Sequence, residues 1–377
     1  MSPPFALGTL CVHAARESDA TTGAVAEPIH LSTTFERDAD GGYPRGYRYI
    51  REGTPNRAAL ESCVAALEGG TAAVAFGSGL AASMAVWQLL GAGDRVVVPI
   101  EGYHGTLRQL HEYVRARGVE VRSADFRNTA AVAAALRDGA RMVWIETPAN
   151  PLLSITDLAA VSSLGRRAGA WIACDNTFAT PVCQRPFDHA VDLVVHSATK
   201  YFGGHNDVMG GLVVIRDDAA LLERIRQWQV LAGAVLAPFD CWLLRRSLAT
   251  LALRLRAQCA TALELALFLA AHPAVERVYY PGLPEHPGHA VAAAQMPGGF
   301  GAMLSFGVRG GREAALTVAA RARLFRRATS LGGIESLIEH RASIEGPDSK
   351  TPQNLLRVSI GIEEPRDLIA DLSLALA

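Results

Sequence analysis

Between residues 56 and 215 the chain alternates short apolar runs with helical patterns, and this alternation restricts the fold more than any other feature. The apolar runs fall at 72–76, 95–100, 119–123, 141–146, 170–175, 192–196 and 211–215. Helical patterns lie at 56–67, from the Gly77-Ser-Gly turn through residue 90, and at 107–116, 130–136 and 155–167. Strands alternating with helices predict a mostly parallel sheet covered on both faces. In such sheets the ligand sites gather beyond the carboxyl ends of the strands. From residue 239 the character changes. A long helical stretch at 241–271 carries spaced arginines. Strands near 302–308 and 356–360 follow, with helices near 312–320 and from 366. This predicts a second, smaller α/β domain. Residues 1–55 show little periodicity, and an irregular start of that length needs something to order it, such as a neighbouring subunit. The expected organisation is therefore an arm (1–55), a large domain (56–238) and a C-terminal α/β domain (239–377).

Lysine is scarce. The sequence contains two, Lys200 and Lys350, and arginine supplies the remaining positive side chains. Arginine stays protonated, whereas a shielded lysine can lose its proton and form a Schiff base with a carbonyl. Lys350 lies in the polar stretch Pro-Asp-Ser-Lys-Thr-Pro and reads as a surface residue. Lys200 follows the apolar run 192–196 and precedes Gly203-Gly204, at a strand end. The hydroxyls of Ser197 and Thr199 are close enough in sequence to hold a phosphate. Gly77-Ser-Gly79-Leu80, between a strand and a helix, offers backbone N–H groups to an anion; alone it is a weak signal, since glycine turns before helices are common.

Other residues have a bland reading and a functional one. Asp175 ends a strand and opens Asp-Asn-Thr-Phe, a sequence that often caps a turn. Tyr103 lies in a loop, where tyrosines usually pack. Arg357 interrupts the apolar run Leu-Leu-Arg-Val-Ser-Ile, where a charge is costly unless paired and where its planar fork suits a carboxylate. Asn150 and Ser330 serve equally well as turn residues.

The segment His196–Asn206 resembles the lysine segment of the Cys/Met-metabolism pyridoxal-phosphate enzymes, the cystathionine γ-synthase and γ-lyase group. Further matches run in order from about residue 13 to residue 364. The resemblance implies a pyridoxal-phosphate fold of type I, similar to aspartate aminotransferase. It implies that Lys200 holds pyridoxal 5'-phosphate and moves protons, that Asp175 pairs with the ring nitrogen, and that Tyr103 stacks on the ring and serves the leaving group. Gly79, Leu80, Ser197 and Thr199 would hold the phosphate. Tyr49 and Arg51 match a motif that reaches the phosphate of an adjacent subunit, although Thr-Pro-Asn stands here in place of Asn-Pro-Thr. Arg357, with Asn150 and Ser330, would bind the α-carboxylate, and Glu335 matches a glutamate common in these branches. The implied assembly is a homotetramer, a dimer of dimers with shared sites. The implied reaction is γ-elimination or γ-replacement on cystathionine or an O-acylhomoserine. A methionine γ-lyase or O-acetylhomoserine sulfhydrylase is the alternative, ranked lower for the former because its branch is expected to carry cysteine where Gly105 stands. A non-catalytic pyridoxal-phosphate-binding protein is a further alternative. His104 replaces the usual glycine. Arg108 matches an arginine of the cystathionine-handling branches, whereas Arg48 replaces an acid suited to a distal ammonium. Together they suggest a substrate with a distal anion and no distal amine, such as O-succinylhomoserine.

Charge and composition exclude other classes. A net charge of −1 gives no broad basic surface for nucleic acid. Six dispersed cysteines without a Cys-x-x-Cys pair suggest reduced thiols and no metal site. The N-terminus shows no signal-peptide pattern, and arginines interrupt the apolar stretches near 242–272, so no membrane span is expected. A cytoplasmic protein acting on a small amino acid is the expectation.

Overall fold

Alternate residues along the central strands enter two different apolar clusters. Val143, Ile145, Ile172 and Cys174 belong to one, while Met142, Trp144 and Ala173 belong to the other. A strand buried on both faces needs an unbroken apolar run, which is why these segments lack polar alternation. The computed structural model describes residues 5–345 and 351–377; Lys350 and the first four residues lie outside them. Its larger sheet has seven strands: β1 (Ala72–Phe76), β2 (Arg95–Pro99), β3 (Glu120–Ala124), β4 (Met142–Glu146), β5 (Trp171–Asp175), β6 (Leu193–Ser197) and β7 (Gly211–Ile215). They lie in the order β1-β7-β6-β5-β4-β2-β3. β7 is antiparallel to both neighbours, so every other strand points the same way. The carboxyl ends of β1, β2, β4, β5 and β6 therefore share one edge. Register places Glu146 beside Asp175.

The second sheet contains β8 (Val275–Tyr279), β9 (Met303–Val308), β10 (Arg326–Arg327), β11 (Leu337–His340) and β12 (Leu355–Ser359), ordered β10-β11-β12-β9-β8. Its apolar side chains, among them Leu304, Phe306, Leu356 and Val358, join the same cluster as one face of the larger sheet. The helix Leu251–Ala271 contributes Leu255, Ala262 and Leu265 to that cluster.

Four differences from the sequence reading have local causes. The stretch 241–271 is two helices, Pro238–Leu248 and Leu251–Ala271. Between them the Thr250 hydroxyl donates back to the Ser247 carbonyl at 3.1 Å, which competes with the helical ladder. The helix expected at 107–116 starts at His104 and widens into a π-helical segment, Gln109–Val114. There the Gln109 side chain donates to Leu80 O at 2.7 Å and accepts from Ser83 and Trp87. The arm is not wholly irregular: Leu7–His13 is helical, and its Cys11 is fully buried in the chain's own core. Last, β8 and β11 were not foreseen, because charged residues such as Arg277 and Glu339 break their apolar patterns.

The turn before the helix Gly79–Trp87 is where the sheet shapes the site. Ser78 caps this helix, accepting from Ala81 N at 3.1 Å. A Cβ on Gly79 would lie 2.7 Å from Ser197 Cβ, and one on Gly211 would lie 2.1 Å from Ser78 O. The turn and the two strand ends thus approach closer than side chains allow. Gly211→Ala should lower the unfolding free energy by about 2–3 kcal/mol, measured by denaturant titration. An unchanged midpoint would show that the turn retreats freely.

Candidate active site

One cavity of ≈ 380 Å³ opens at the shared carboxyl edge of the larger sheet, against the second sheet. Lys200, three residues past β6, reaches it from the floor. Its Nζ donates to Ser330 Oγ at 2.8 Å, across from the second sheet's side. Burial, and then the Arg357 charge, push the Lys200 amine down to about 8. Ser330 has a φ of 94°, a left-handed conformation that a non-glycine residue adopts only under constraint from its surroundings.

Asp175, ending β5, also lines the cavity. Its Oδ1 accepts from Thr177 N at 3.0 Å, and the Thr177 hydroxyl accepts from Ser197 N at 2.9 Å. This Asx-type turn couples the ends of β5 and β6. Burial raises the Asp175 carboxyl, opposed by its hydrogen bonds to Thr177. The adjoining residues Asn176 and His196 belong to a buried polar cluster. His196 Nε2 and Glu68 Oε1 are 2.5 Å apart, and Asn176 Nδ2 donates to the same oxygen at 2.9 Å.

Gly79, Leu80, Ser197 and Thr199 line the cavity together. The first-turn amides of the helix Gly79–Trp87 and two hydroxyls are thereby brought to one place, a donor set suited to a phosphate. Thr199 Oγ1 also accepts from Gly210 N at 3.1 Å, which fixes the loop after β6. Tyr103 lies on the wall and is 43% exposed. Arg357, also on the lining, donates to Asn150 Oδ1 at 2.8 Å, to Ser330 O at 3.0 Å and to Glu339 Oε2 at 2.8 Å. Ten residues singled out from sequence, Gly79, Leu80, Tyr103, Asn150, Asp175, Ser197, Thr199, Lys200, Ser330 and Arg357, thus line one cavity.

Five others do not line it in the single chain. The Arg51 guanidinium sits over the Tyr49 ring, 5.1 Å from its centre, on the exposed arm. Arg48 pairs with Glu52, and Arg108 with Glu112 at 2.8 Å, both at the surface. Glu335 accepts from Asn206 Nδ2 at 2.9 Å.

The sequence reading missed Thr177, Glu146 and Arg341, all on the wall. Thr177 was legible as the third residue of an Asp-x-Thr turn. Glu146 ends an apolar strand just as Asp175 does. Its two oxygens accept from Tyr103 N at 2.7 Å and Asn150 N at 3.0 Å. Burial and the Asp175 charge push its carboxyl up to about 8. Arg341 had no signal, since its neighbours in sequence are unremarkable. No group of three metal-ligating side chains occurs among the described residues, and no helix among them is long and apolar enough to cross a membrane.

A family model for Cys/Met metabolism PLP-dependent enzymes matches residues 8–377. The cystathionine gamma-synthase of Mycobacterium tuberculosis is 46% identical over 374 residues, 98% of this chain and 96% of that protein. The structure of the cystathionine gamma synthase of Xanthomonas oryzae pv. oryzae in complex with cystathionine superimposes with a TM-score of 0.96 at 41% identity, covering 99% of this chain and 98% of that one. Apo CalE6, a methionine gamma lyase from Micromonospora echinospora, superimposes with a TM-score of 0.93 at 44% identity, covering 99% of each chain.

The shift of Lys200 can be read directly on the cofactor-free protein. Half-maximal acylation of Lys200 by an amine-reactive reagent should fall near pH 8, as the neutral amine is the nucleophile. With two lysines in the chain, peptide mapping resolves the site. A midpoint at the ordinary lysine value of about 10.4 would show that the cavity leaves the amine hydrated.

Proposed function

The chain belongs to the Cys/Met metabolism PLP-dependent enzymes, and from that membership we propose that it performs γ-elimination or γ-replacement on cystathionine or an O-acylhomoserine. The observation that carries this reading is the meeting of a lysine whose amine is pushed down to about 8, an aspartate raised by burial and a buried arginine around one cavity. These groups fit pyridoxal phosphate. Lys200 offers an amine for the aldehyde, Asp175 an acid for the ring nitrogen, and Gly79, Leu80, Ser197 and Thr199 a cradle for the phosphate. Tyr49 and Arg51 would complete that cradle from an adjacent subunit.

When bound, the cofactor supplies an electron sink for a carbanion at the substrate's Cα. The rest falls to the protein. Arg357, steadied by Asn150 and Ser330, grips the α-carboxylate through its planar fork. Asp175 keeps a proton on the ring nitrogen, a role helped by its hydrogen bonds to Thr177. Lys200, freed by substrate, removes the proton at Cα and then one at Cβ, which lets the γ-substituent depart. Tyr103, whose backbone N–H is held by Glu146, would give a proton to the departing sulfur or oxygen. Water then yields a 2-oxo acid and ammonia, or a thiol adds to yield a thioether.

The methionine γ-lyase alternative ranks lower because Gly105 stands where that branch is expected to carry cysteine; a Cβ there would lie 2.7 Å from the Tyr103 ring, which would have to turn to admit it. For the distal end of the substrate we retain Arg108 and Arg48 as candidates. Each is now held by a carboxylate four residues on, an exposed pair worth little and easily exchanged for a substrate anion. A homotetramer with shared sites is supported by the arm. It is pinned to its own chain through Asn56 and Glu27, yet exposes Val25 and Leu31 at 76% and 69%. We place the protein in the cytoplasm, acting on a free amino acid.

The loaded protein should be yellow, with a band near the visible edge that borohydride removes; Lys200→Ala should lose both covalent attachment and turnover. Asp175→Asn should retain cofactor but lose about 3 kcal/mol of transition-state stabilisation, on the order of a hundredfold in kcat. Normal turnover by Lys200→Ala, or an Asp175→Asn rate within about twofold of wild type, would contradict these roles. Steady-state assays with cystathionine, O-succinylhomoserine, O-acetylhomoserine and methionine in parallel would rank the substrates. Turnover of methionine alone would overturn the reading.

A further inference from the structure

The wall around Arg357 contains a second guanidinium. Arg341 is 5% exposed and lines the same cavity. It follows directly on β11, which pairs antiparallel with β12 so that Glu339 stands opposite Arg357. A single carboxylate oxygen, Glu339 Oε2, accepts from Arg357 Nη2 at 2.8 Å and from Arg341 Nη1 at 3.0 Å. The other oxygen, Oε1, is buried without a hydrogen-bond partner. Arg341 also donates through Nε and Nη2 to Glu345 Oε1, at 3.2 and 2.9 Å. Both arginines line the cavity; neither Glu339 nor Glu345 does. The cations thus face the substrate space, with the acids behind them.

This layering has an electrostatic consequence. A buried carboxylate must be compensated, and the compensation comes from whichever cation is nearest. If Arg357 alone faced Glu339, the two would form a neutral pair, and an incoming substrate carboxylate would compete with Glu339 for the same fork. It would also approach the Glu339 carboxylate in a poorly hydrated space, where like charges repel strongly. Arg341, held on its far side by Glu345, gives Glu339 a second cationic donor, so less of the Glu339 charge falls on Arg357 although the four groups sum to zero. We propose that Arg341 is a positioning residue that sets how tightly the site holds the substrate's α-carboxylate, by keeping Glu339 from neutralising Arg357. The inference rests on the reading of Arg357 as the carboxylate anchor.

The test uses the cofactor-loaded enzyme with O-succinylhomoserine and O-acetylhomoserine, and propionate as a carboxylic acid without an amine. Arg341→Met keeps the aliphatic stem packed while removing the charge. It should raise both KM values and the propionate inhibition constant by about tenfold, with kcat within about threefold. Arg341→Lys should fall between Met and wild type. The deciding arm is the double variant Glu339→Gln, Arg341→Met. Removing the acid as well should bring KM back to within about threefold of wild type, because Glu339 then no longer competes for Arg357 and the remaining pair, Arg357 and Glu345, has the same net charge as the original four groups. A purely structural role for Arg341 would leave the double variant as impaired as the single one, or more so, and would overturn the proposal. So would a KM change confined to the succinyl ester, which would make Arg341 a reader of the distal group. Arg357→Ala tests the underlying assignment separately: unchanged KM there would refute the anchor itself. If Arg341→Met fails to fold, the comparison of Arg341→Lys with its Glu339→Gln double variant carries the same test.

Discussion

Charged side chains held out of water at the carboxyl edge of a parallel sheet are the constraint on which this structure turns. Asp175, Glu146, Lys200 and Arg357 are all largely buried, and each would lose several kcal/mol of hydration if nothing replaced it. The replacement is different for each. Asp175 has Thr177, and Glu146 has two backbone N–H groups from separate loops. Arg357 has an amide oxygen, a carbonyl and a carboxylate. Lys200 has only a hydroxyl, and it responds by giving up its proton more readily. The group left least compensated is the one whose amine is pushed furthest toward its neutral form.

The same compensation ties the two sheets together. Lys200 reaches Ser330, Arg357 reaches Asn150, and Ser305 Oγ donates to Pro151 O at 2.8 Å. Each bond joins a loop of the larger sheet to the second one. The common apolar cluster makes this approach favourable but is non-directional; the polar contacts fix its register. The cavity wall is therefore assembled from two sheets whose relative position these polar contacts fix.

Cross-strand register also explains which residues act in pairs. Glu146 lies beside Asp175, and Glu339 opposite Arg357. Neither pairing has any signature along the chain, since the members are separated by 29 and 18 positions. Each pairing changes the charge state or availability of its partner. The chemistry of the site thus depends on neighbours supplied by adjacent strands, as much as on the residues that touch a ligand.

The amino-acid sequence by itself determined the alternating architecture, because strand length and apolar patterning follow from burial on both faces. It also marked Lys200, by the rarity of lysine, and the short motifs around Asp175, Gly79 and Tyr103, because local turns and helix starts are encoded within a few residues. Only the tertiary structure decided what surrounds them. It turned an expected single helix into two at Thr250, packed the helix Leu7–His13 onto its own chain, and left Arg48 and Arg108 paired at the surface of the monomer. It brought Glu146 and Arg341 to the cavity from strands whose pairing partners lie far away in sequence. The physical reason is that burial and electrostatic neighbourhood belong to the packed chain: a glutamate or arginine has the same letter in water as in a dry cavity, and its charge and function diverge only once other strands close around it.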